Sequence, residues 1–258
     1  MVETVLRRNR RRAVVRMAAA AAEYAAMGWP VCIGAFSPIR SGRSNLPAGS
    51  GLAGRTGRQG RTDRPGRPGR PGLAGRTERH DEVLRACSCD RMGCPAPGAH
   101  PVSPTWQSQA TADPVVVGNW WVAQPDANVI LVTGRVFDVL DVPASAGAAA
   151  LALMERSAVR PGPVAISAGN RALFFVTTRG TPADEDEWWS CNLDCEPEMN
   201  PEVAGLRWHC RNSYVLAPPS QDGTLIKAHW LRPPDGGPLP DGLRLLGFLA
   251  DACEGTSS

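Results

Sequence analysis

Apolar residues along the chain follow two periods, which predict both helices and strands. Over residues 9–27 alanines and other apolar residues recur near a 3.6-residue period, and Gly28 suits the left-handed position that ends a helix. Asp113 and Pro114 suit the N-cap and first turn of another helix. The predicted helices are residues 9–27, 111–123, 147–157, part of the acidic segment 183–202, and 243–253.

Short apolar runs between turn residues predict strands. Two of them form a hairpin around residues 167–171, and another carries the carboxylates Asp138 and Asp141. Strands in runs separated by helices favour an α+β fold, with a mixed or antiparallel sheet flanked by helices. The predicted strands are residues 29–33, 129–132, 137–142, 164–166, 173–177, 206–208, 214–217 and 225–231.

Residues 37–80 break this pattern because they consist largely of Gly, Pro and Arg, and the peptide LAGRT occurs twice, at 52–56 and 73–77. Few side chains there can be buried to offset a backbone ordering cost of about 1–2 kcal/mol per residue. We therefore predict a disordered insertion. It divides one domain into residues 1–36, with the first helix and strand, and the main body 81–258.

Charge is distributed unevenly along the chain. Residues 1–79 contain 16 Arg and 4 acidic residues, whereas the remainder contains 12 Lys and Arg and 21 Asp and Glu, which together give the net charge of +3. A basic arm can contact nucleic-acid phosphates, or it can simply be solvated. No secretory signal and no run of about 18 apolar residues occurs, so we expect a reduced, cytoplasmic protein without membrane contact.

A cysteine-rich element precedes the main body of the domain. Cys87, Cys89, Cys94 and His100 place four ligands of the kind that zinc prefers within fourteen residues. The first pair has C-x-C spacing, which is tighter than the common C-x2–4-C. The spacing leaves three interpretations open, namely a structural Zn²⁺ site, reduced free thiols and a disulfide.

Seven short motifs follow one another between residues 13 and 232. They are Gly28-Trp29-Pro30-Val31; Gly98-Ala99-His100-Pro101; Trp106-Gln107 with Ala110, Thr111 and Asp113; Trp120-Trp121 with Pro125 and Asn128; Thr133-Gly134; the acidic strand; and Tyr214 to Ser220. This order resembles the N-terminal domain of bifunctional DNA primase/polymerases, the prim-pol branch of the archaeo-eukaryotic primase superfamily. It is most similar to short stand-alone actinobacterial members.

The resemblance implies nucleotidyl transfer by two Mg²⁺ or Mn²⁺ ions that carboxylates hold. In the family an Asp-x-Asp or Asp-x-Glu pair on a strand directs both carboxylates to one face. Here the first position is Asp141, but the second is Pro143. Asp138 stands three residues before Asp141 and should point to the opposite face of a regular strand. We name Asp141 and Asp138 as the candidate catalytic residues.

Two further family motifs also depart from the pattern. The usual His falls on Ala172, the usual Asp on Arg207 and the usual Arg on His209. The candidate nucleotide- or phosphate-binding residues are Asn170, Arg171, His209 and Arg211.

The losses favour a degenerate prim-pol domain that binds DNA, RNA or a nucleotide, or acts as a regulatory module. An active polymerase with a rearranged acidic site, and a scaffold for a protein partner, are the alternatives. The pair Trp120-Trp121 fits core packing better than base stacking.

Overall fold

The computed structural model describes residues 15–37, 87–89, 91, 93–178, 205–224 and 226–256. All of these residues belong to one compact unit. The predicted disordered insertion, apart from its first residue, and the acidic segment 183–202 lie outside them. None of the helices among the described residues is long and apolar enough to cross a membrane.

The helices begin and end close to where the apolar pattern places them. Asp113 caps the second long helix as expected, since its carboxylate accepts hydrogen bonds from the backbone of Val115 (2.8 Å) and Val116 (3.3 Å). One helix starts three residues before the predicted Gly147, directly after Pro143. The helices are α1 (15–26), α2 (Trp106–Gln109), α3 (Pro114–Ala123), α4 (Ala144–Arg156) and α5 (Gly242–Thr256).

The strands form two antiparallel sheets, which confirms the α+β prediction. A three-stranded sheet has the order β1-β2-β7, and a five-stranded sheet has the order β6-β3-β5-β4-β8. The last strand is shorter than predicted. The strands are β1 (Val31–Gly34), β2 (Asn128–Val132), β3 (Phe137–Pro143), β4 (Val164–Ile166), β5 (Arg171–Thr177), β6 (Arg207–His209), β7 (Tyr214–Leu216) and β8 (His229–Arg232).

The five-stranded sheet has a separate core on each face. Successive side chains of a strand point to opposite faces, so β3 contributes to both. Leu140 and Val142 pack with Trp208 against helices α4 and α5. Phe137 and Val139 pack on the opposite face in a second core, whose members come from α1, α3 and both sheets. The acidic residues of β3 therefore face different environments.

Asn128, at the start of β2, joins three chain segments. Its side-chain amide nitrogen donates to the carbonyls of Ala35 (2.9 Å), Gly98 (2.8 Å) and Gln221 (2.6 Å). The residue is 1% exposed. The two N–H bonds of this buried amide are shared among the three carbonyls, and this explains physically why an asparagine follows the tryptophan pair.

Candidate functional site

Asp141 lies near the end of strand β3 and between two neighbouring strands. It pairs with Leu173 of β5 on one side and with Arg207 of β6 on the other. This register brings the three family motif regions together, although they are far apart in the sequence. The side chains around Asp141 form what we call the Asp141 site.

Both carboxylate oxygens of Asp141 accept hydrogen bonds from cationic or ionisable side chains. Arg171 donates from Nε to Oδ1 at 2.5 Å, and Nε2 of His209 lies 3.2 Å from Oδ2. Arg171 also donates to the Asp141 carbonyl (3.1 Å) and to the Gly205 carbonyl. The Asp141 side chain is 6% exposed, and the Arg171 and His209 side chains are each 20% exposed.

The imidazole of His209 connects this carboxylate to a hydroxyl group. Its Nδ1 lies 3.0 Å from Oγ of Ser213. A proton on Nε2 is donated to Asp141, and Nδ1 of the neutral ring then accepts from the Ser213 hydroxyl. The sequence did not single out Ser213, because only the turn between β6 and β7 brings it back to His209.

Asp138 is not part of the Asp141 site. Its residue is 1% exposed and its Oδ2 accepts a hydrogen bond from Nε1 of Trp208 at 3.2 Å, within the core under α4 and α5. Asp141 projects from the other face, because the two residues are three apart in a regular strand. The two candidate catalytic carboxylates therefore do not converge.

The other motif positions also differ from a polymerase site. Pro143 has no metal-binding side chain and pairs with Arg171, while Arg207 stands directly across from Asp141. Ala172, where the resemblance places the family histidine, is buried in the core against α4, on the opposite face. Its neighbour Arg171 is the β5 residue whose side chain contacts Asp141.

The Asp141 site does not fit the divalent ions that the resemblance implies. Mg²⁺ requires near-octahedral oxygen coordination and is usually held by one or two carboxylates. Here one carboxylate is already hydrogen-bonded at both oxygens, and Arg207 adds a further positive charge beside it. The chemistry of these side chains suits an anion better than a cation.

The four candidate phosphate-binding residues are only partly brought together. Arg171 and His209 meet at Asp141, and Asn170 occupies the β4–β5 turn with a φ of 58°, where its carbonyl accepts from the backbone of Ala144. Arg211 lies in the β6–β7 turn, beside Gly134 at the opposite end of β3.

The cysteine-rich element forms a compact ligand cluster. The ligand atoms of Cys87, Cys89, Cys94 and His100 all lie within 4.8 Å of one another. The Sγ atoms of Cys87 and Cys94 are each 3.4 Å from Nε2 of His100. Tetrahedral Zn²⁺ with its usual bond lengths separates S and N ligands by about 3.6 Å, so these four residues could hold such a metal.

Surrounding groups orient this cluster. Nδ1 of His100 lies 2.7 Å from the Pro101 carbonyl, and donation there leaves Nε2 available as a ligand. The backbone of Gly98 donates to Sγ of Cys87 at 3.5 Å. A backbone hydrogen bond from Arg91 lowers the pKa of Cys89 to about 7, whereas burial raises the pKa of Cys94 to about 11. None of the six described cysteines forms a disulfide.

Comparison with known proteins identifies the family of this chain. The chain has no significant match among curated proteins. A family described as "Bifunctional DNA primase/polymerase, N-terminal" matches residues 21–242 of the 258, a span that contains both sheets, the Asp141 site and the cysteine cluster. The chain therefore belongs to the Prim-Pol family of bifunctional DNA primase/polymerase N-terminal domains.

Proposed function

We propose that this protein is a Prim-Pol domain that has lost nucleotidyl transfer and binds nucleic acid or nucleotide without catalysis. The observation that carries the proposal is the state of Asp141, whose two carboxylate oxygens accept from Arg171 and His209. In the two-metal mechanism such a carboxylate coordinates the ions that activate the attacking and leaving oxygens.

Energetics favour the ion pair over a metal at this position. A divalent ion would have to displace Arg171 from a carboxylate that is only 6% exposed, and removing one partner from a buried pair costs about 3–5 kcal/mol. In a metal site, additional carboxylate ligands offset that cost. Here Pro143 and Arg207 stand at the positions where the resemblance places those carboxylates. Asp138 cannot contribute, because it faces the other core.

The charged side chains at the Asp141 site are compatible with binding a phosphate group. Among the described side chains of the Asp141 site and its paired residues, Arg171 and Arg207 are two cations beside the one carboxylate of Asp141, and His209 becomes a further cation when it is protonated. Phosphate groups are the anions that Prim-Pol substrates carry, and arginines bind them through charge-assisted hydrogen bonds. We propose Asn170, Arg171, His209 and Arg211 as phosphate contacts, at two ends of β3, and we add Arg207, which stands directly across from Asp141.

A primer-extension assay with Mg²⁺ or Mn²⁺, and with dNTPs or NTPs, tests the loss of catalysis. We expect no template-dependent incorporation by the full chain, and no difference from Asp141→Ala. Incorporation that Asp141→Ala abolishes would overturn the proposal and favour the alternative of a rearranged active site.

Binding is measured on the same preparation by fluorescence anisotropy with labelled DNA and RNA. Arg207→Ala should weaken binding and lower the salt slope by about 1 if the arginine contacts a phosphate. Arg244→Ala is the matched control, because Arg244 is an exposed arginine on α5, which packs on the opposite face of the sheet. Equal effects of the two substitutions would remove the proposed contact.

A protein-scaffold function predicts a different result in these binding assays. The acidic residues 184–187 and the following tryptophan pair, which suggested a protein partner, lie outside the described residues. If neither the full chain nor a chain lacking residues 1–79 binds DNA or RNA, the scaffold interpretation replaces nucleic-acid binding.

We also propose that the cysteine cluster holds one structural Zn²⁺. The 3.4 Å separations and the fixed His100 ring support zinc, and the free state of all six described cysteines supports a reducing, cytoplasmic setting. Metal analysis of protein purified without chelator should give about one zinc per chain, and a value near zero would exclude the site.

A further inference from the structure

Two recesses flank the short helix α2. The first, here called the aromatic groove, has a volume of about 310 Å³, and its lining includes Trp106, Gln109, Trp120, Gln124 and Ile33. The second, here called the arginine recess, has a volume of about 350 Å³ and lies on the Gln107 side of α2. Its lining includes Gln107, Thr133, Arg135, Arg211 and Asn212.

Two of the tryptophans that the sequence motifs contain, Trp106 and Trp120, line the aromatic groove. Trp121 is 3% exposed and donates from Nε1 to the Ala127 carbonyl at 3.1 Å, so it serves the core as predicted. Its neighbour Trp120 is partly buried, packs against the edge of the second core and also lines the groove. Adjacent helix residues do not share a face, so Trp121 lies inside the core and Trp120 at its margin.

The groove presents fixed aromatic surface together with amide groups. Trp106 packs edge to face with Tyr214, at a centroid distance of 5.2 Å and an interplanar angle of 78°. Gln109 and Gln124 are exposed at its margin and offer donors and acceptors. Cys32 also lines the groove, and burial raises the pKa of its thiol to about 12, so this side chain is uncharged near neutral pH.

The arginine recess is positively charged and held in place. Arg135 donates to the carbonyls of Ala110 (3.3 Å) and Gln107 at the end of α2, which fixes its guanidinium beside the recess. The β6–β7 turn that carries Arg211 is fastened by a 2.6 Å hydrogen bond from Oγ1 of Thr133 to the Cys210 carbonyl. No acidic residue occurs among the described residues that line either recess.

We propose that α2 and these two recesses form a binding surface for single-stranded nucleic acid, with a base against Trp106 and Trp120 and a neighbouring phosphate at Arg135 and Arg211. The inference rests on the proposed nucleic-acid binding and adds to it a second surface, which includes Arg211 and is distinct from the Asp141 site. Trp106 and Gln107 are adjacent in α2 and line one recess each, so a strand that crosses this helix, which is about 10–12 Å wide with its side chains, passes both recesses.

The chemistry favours a single strand over a duplex or a protein. Bases in a duplex are stacked on one another, whereas a single strand exposes the flat face of every base for stacking on an aromatic side chain. The positive recess complements a phosphate, and an aromatic platform next to a cationic groove is the usual combination for binding single strands. Recognition should therefore tolerate sequence changes.

The test compares two 15-nucleotide strands that share a backbone, oligo-dU and an oligomer of abasic sites, in anisotropy titrations with the full chain. We expect oligo-dU to bind at least about fivefold more tightly, which is the lower limit for stacking one base on an aromatic side chain. Trp120→Leu should abolish this preference. Val122→Ser is the matched control on α3, since Val122 is 83% exposed and outside the groove lining.

Arg211→Ala should weaken the binding of both strands equally and lower the salt slope by about 1, because in the proposed complex Arg211 meets the phosphate and not the base. Oligo-rU, which differs from oligo-dU in the 2′-hydroxyl, identifies whether RNA or DNA is the preferred strand. Strand binding that keeps its base preference in Trp120→Leu would overturn this inference and leave the proposed function intact. Incorporation that depends on Asp141 would overturn the proposed function instead.

Discussion

Replacing Asp141 by asparagine should destabilise the protein. The substitution keeps the side-chain volume but removes the charge that pairs with Arg171 and His209 at 2.5 and 3.2 Å. Breaking a buried pair costs about 3–5 kcal/mol, and the lower limit applies because both partners keep 20% of their side chains exposed. We therefore expect a loss of about 3 kcal/mol, or about 6–12 °C in the melting temperature.

Whether Asp141→Asn destabilises or stabilises the metal-free protein distinguishes an ion pair at Asp141 from a metal-binding site. In a metal-binding site the carboxylates repel one another when no ion is bound, so removing one leaves the metal-free protein equally stable or stabilises it. Urea unfolding of metal-free and zinc-loaded protein measures the difference. Asp251→Asn, an exposed carboxylate on α5, is the control and should change stability by less than about 0.5 kcal/mol. An Asp141→Asn protein as stable as the parent would refute the ion-pair argument.

Three further substitutions test other parts of the structure. Asn128→Asp places a buried carboxylate against three carbonyls and should cost more than about 3 kcal/mol in urea unfolding, whereas a small cost would mean that the amide is not buried as described. Gly134→Ala should lower the free energy of unfolding by at least about 2 kcal/mol, because the φ of Gly134 is 80° and a Cβ there would overlap the backbone of Arg211. Gly236→Ala is the control, since Gly236 has a similar φ but open space around it, and it should cost about half as much. Equal costs would contradict the close approach of Gly134 to Arg211. Cys94→Ser should release zinc and lower the melting temperature, and unchanged zinc content would exclude Cys94 as a ligand.

Local patterns predicted most of the helices and strands. The N-cap at Asp113 and the hairpin of β4 and β5 depend on neighbouring residues, and both are found where they were expected. Helix α4 begins earlier than predicted because it follows Pro143 directly, without a side-chain cap to mark its start. Helix α2 was not predicted because its four residues are too few to show a period.

The site itself could be predicted only in part. Alternation along a strand correctly separates Asp138 from Asp141, since it requires only spacing. The partners of Asp141 stand 30 and 68 residues away, and only the register of β3 with β5 and β6 brings them together. The resemblance places the family histidine on Ala172, and the same register directs that residue to the face opposite Asp141.

Titration with Mn²⁺, followed by electron paramagnetic resonance of the free ion, tests the loss of the polymerase metal site most directly. Zinc-loaded protein and its Asp141→Asn variant are compared at equal concentration, so that the cysteine cluster is occupied in both. The account predicts that the two proteins bind Mn²⁺ equally weakly, because Arg171 and His209 occupy the carboxylate. One or two Mn²⁺ ions bound by the parent and lost in Asp141→Asn would contradict it.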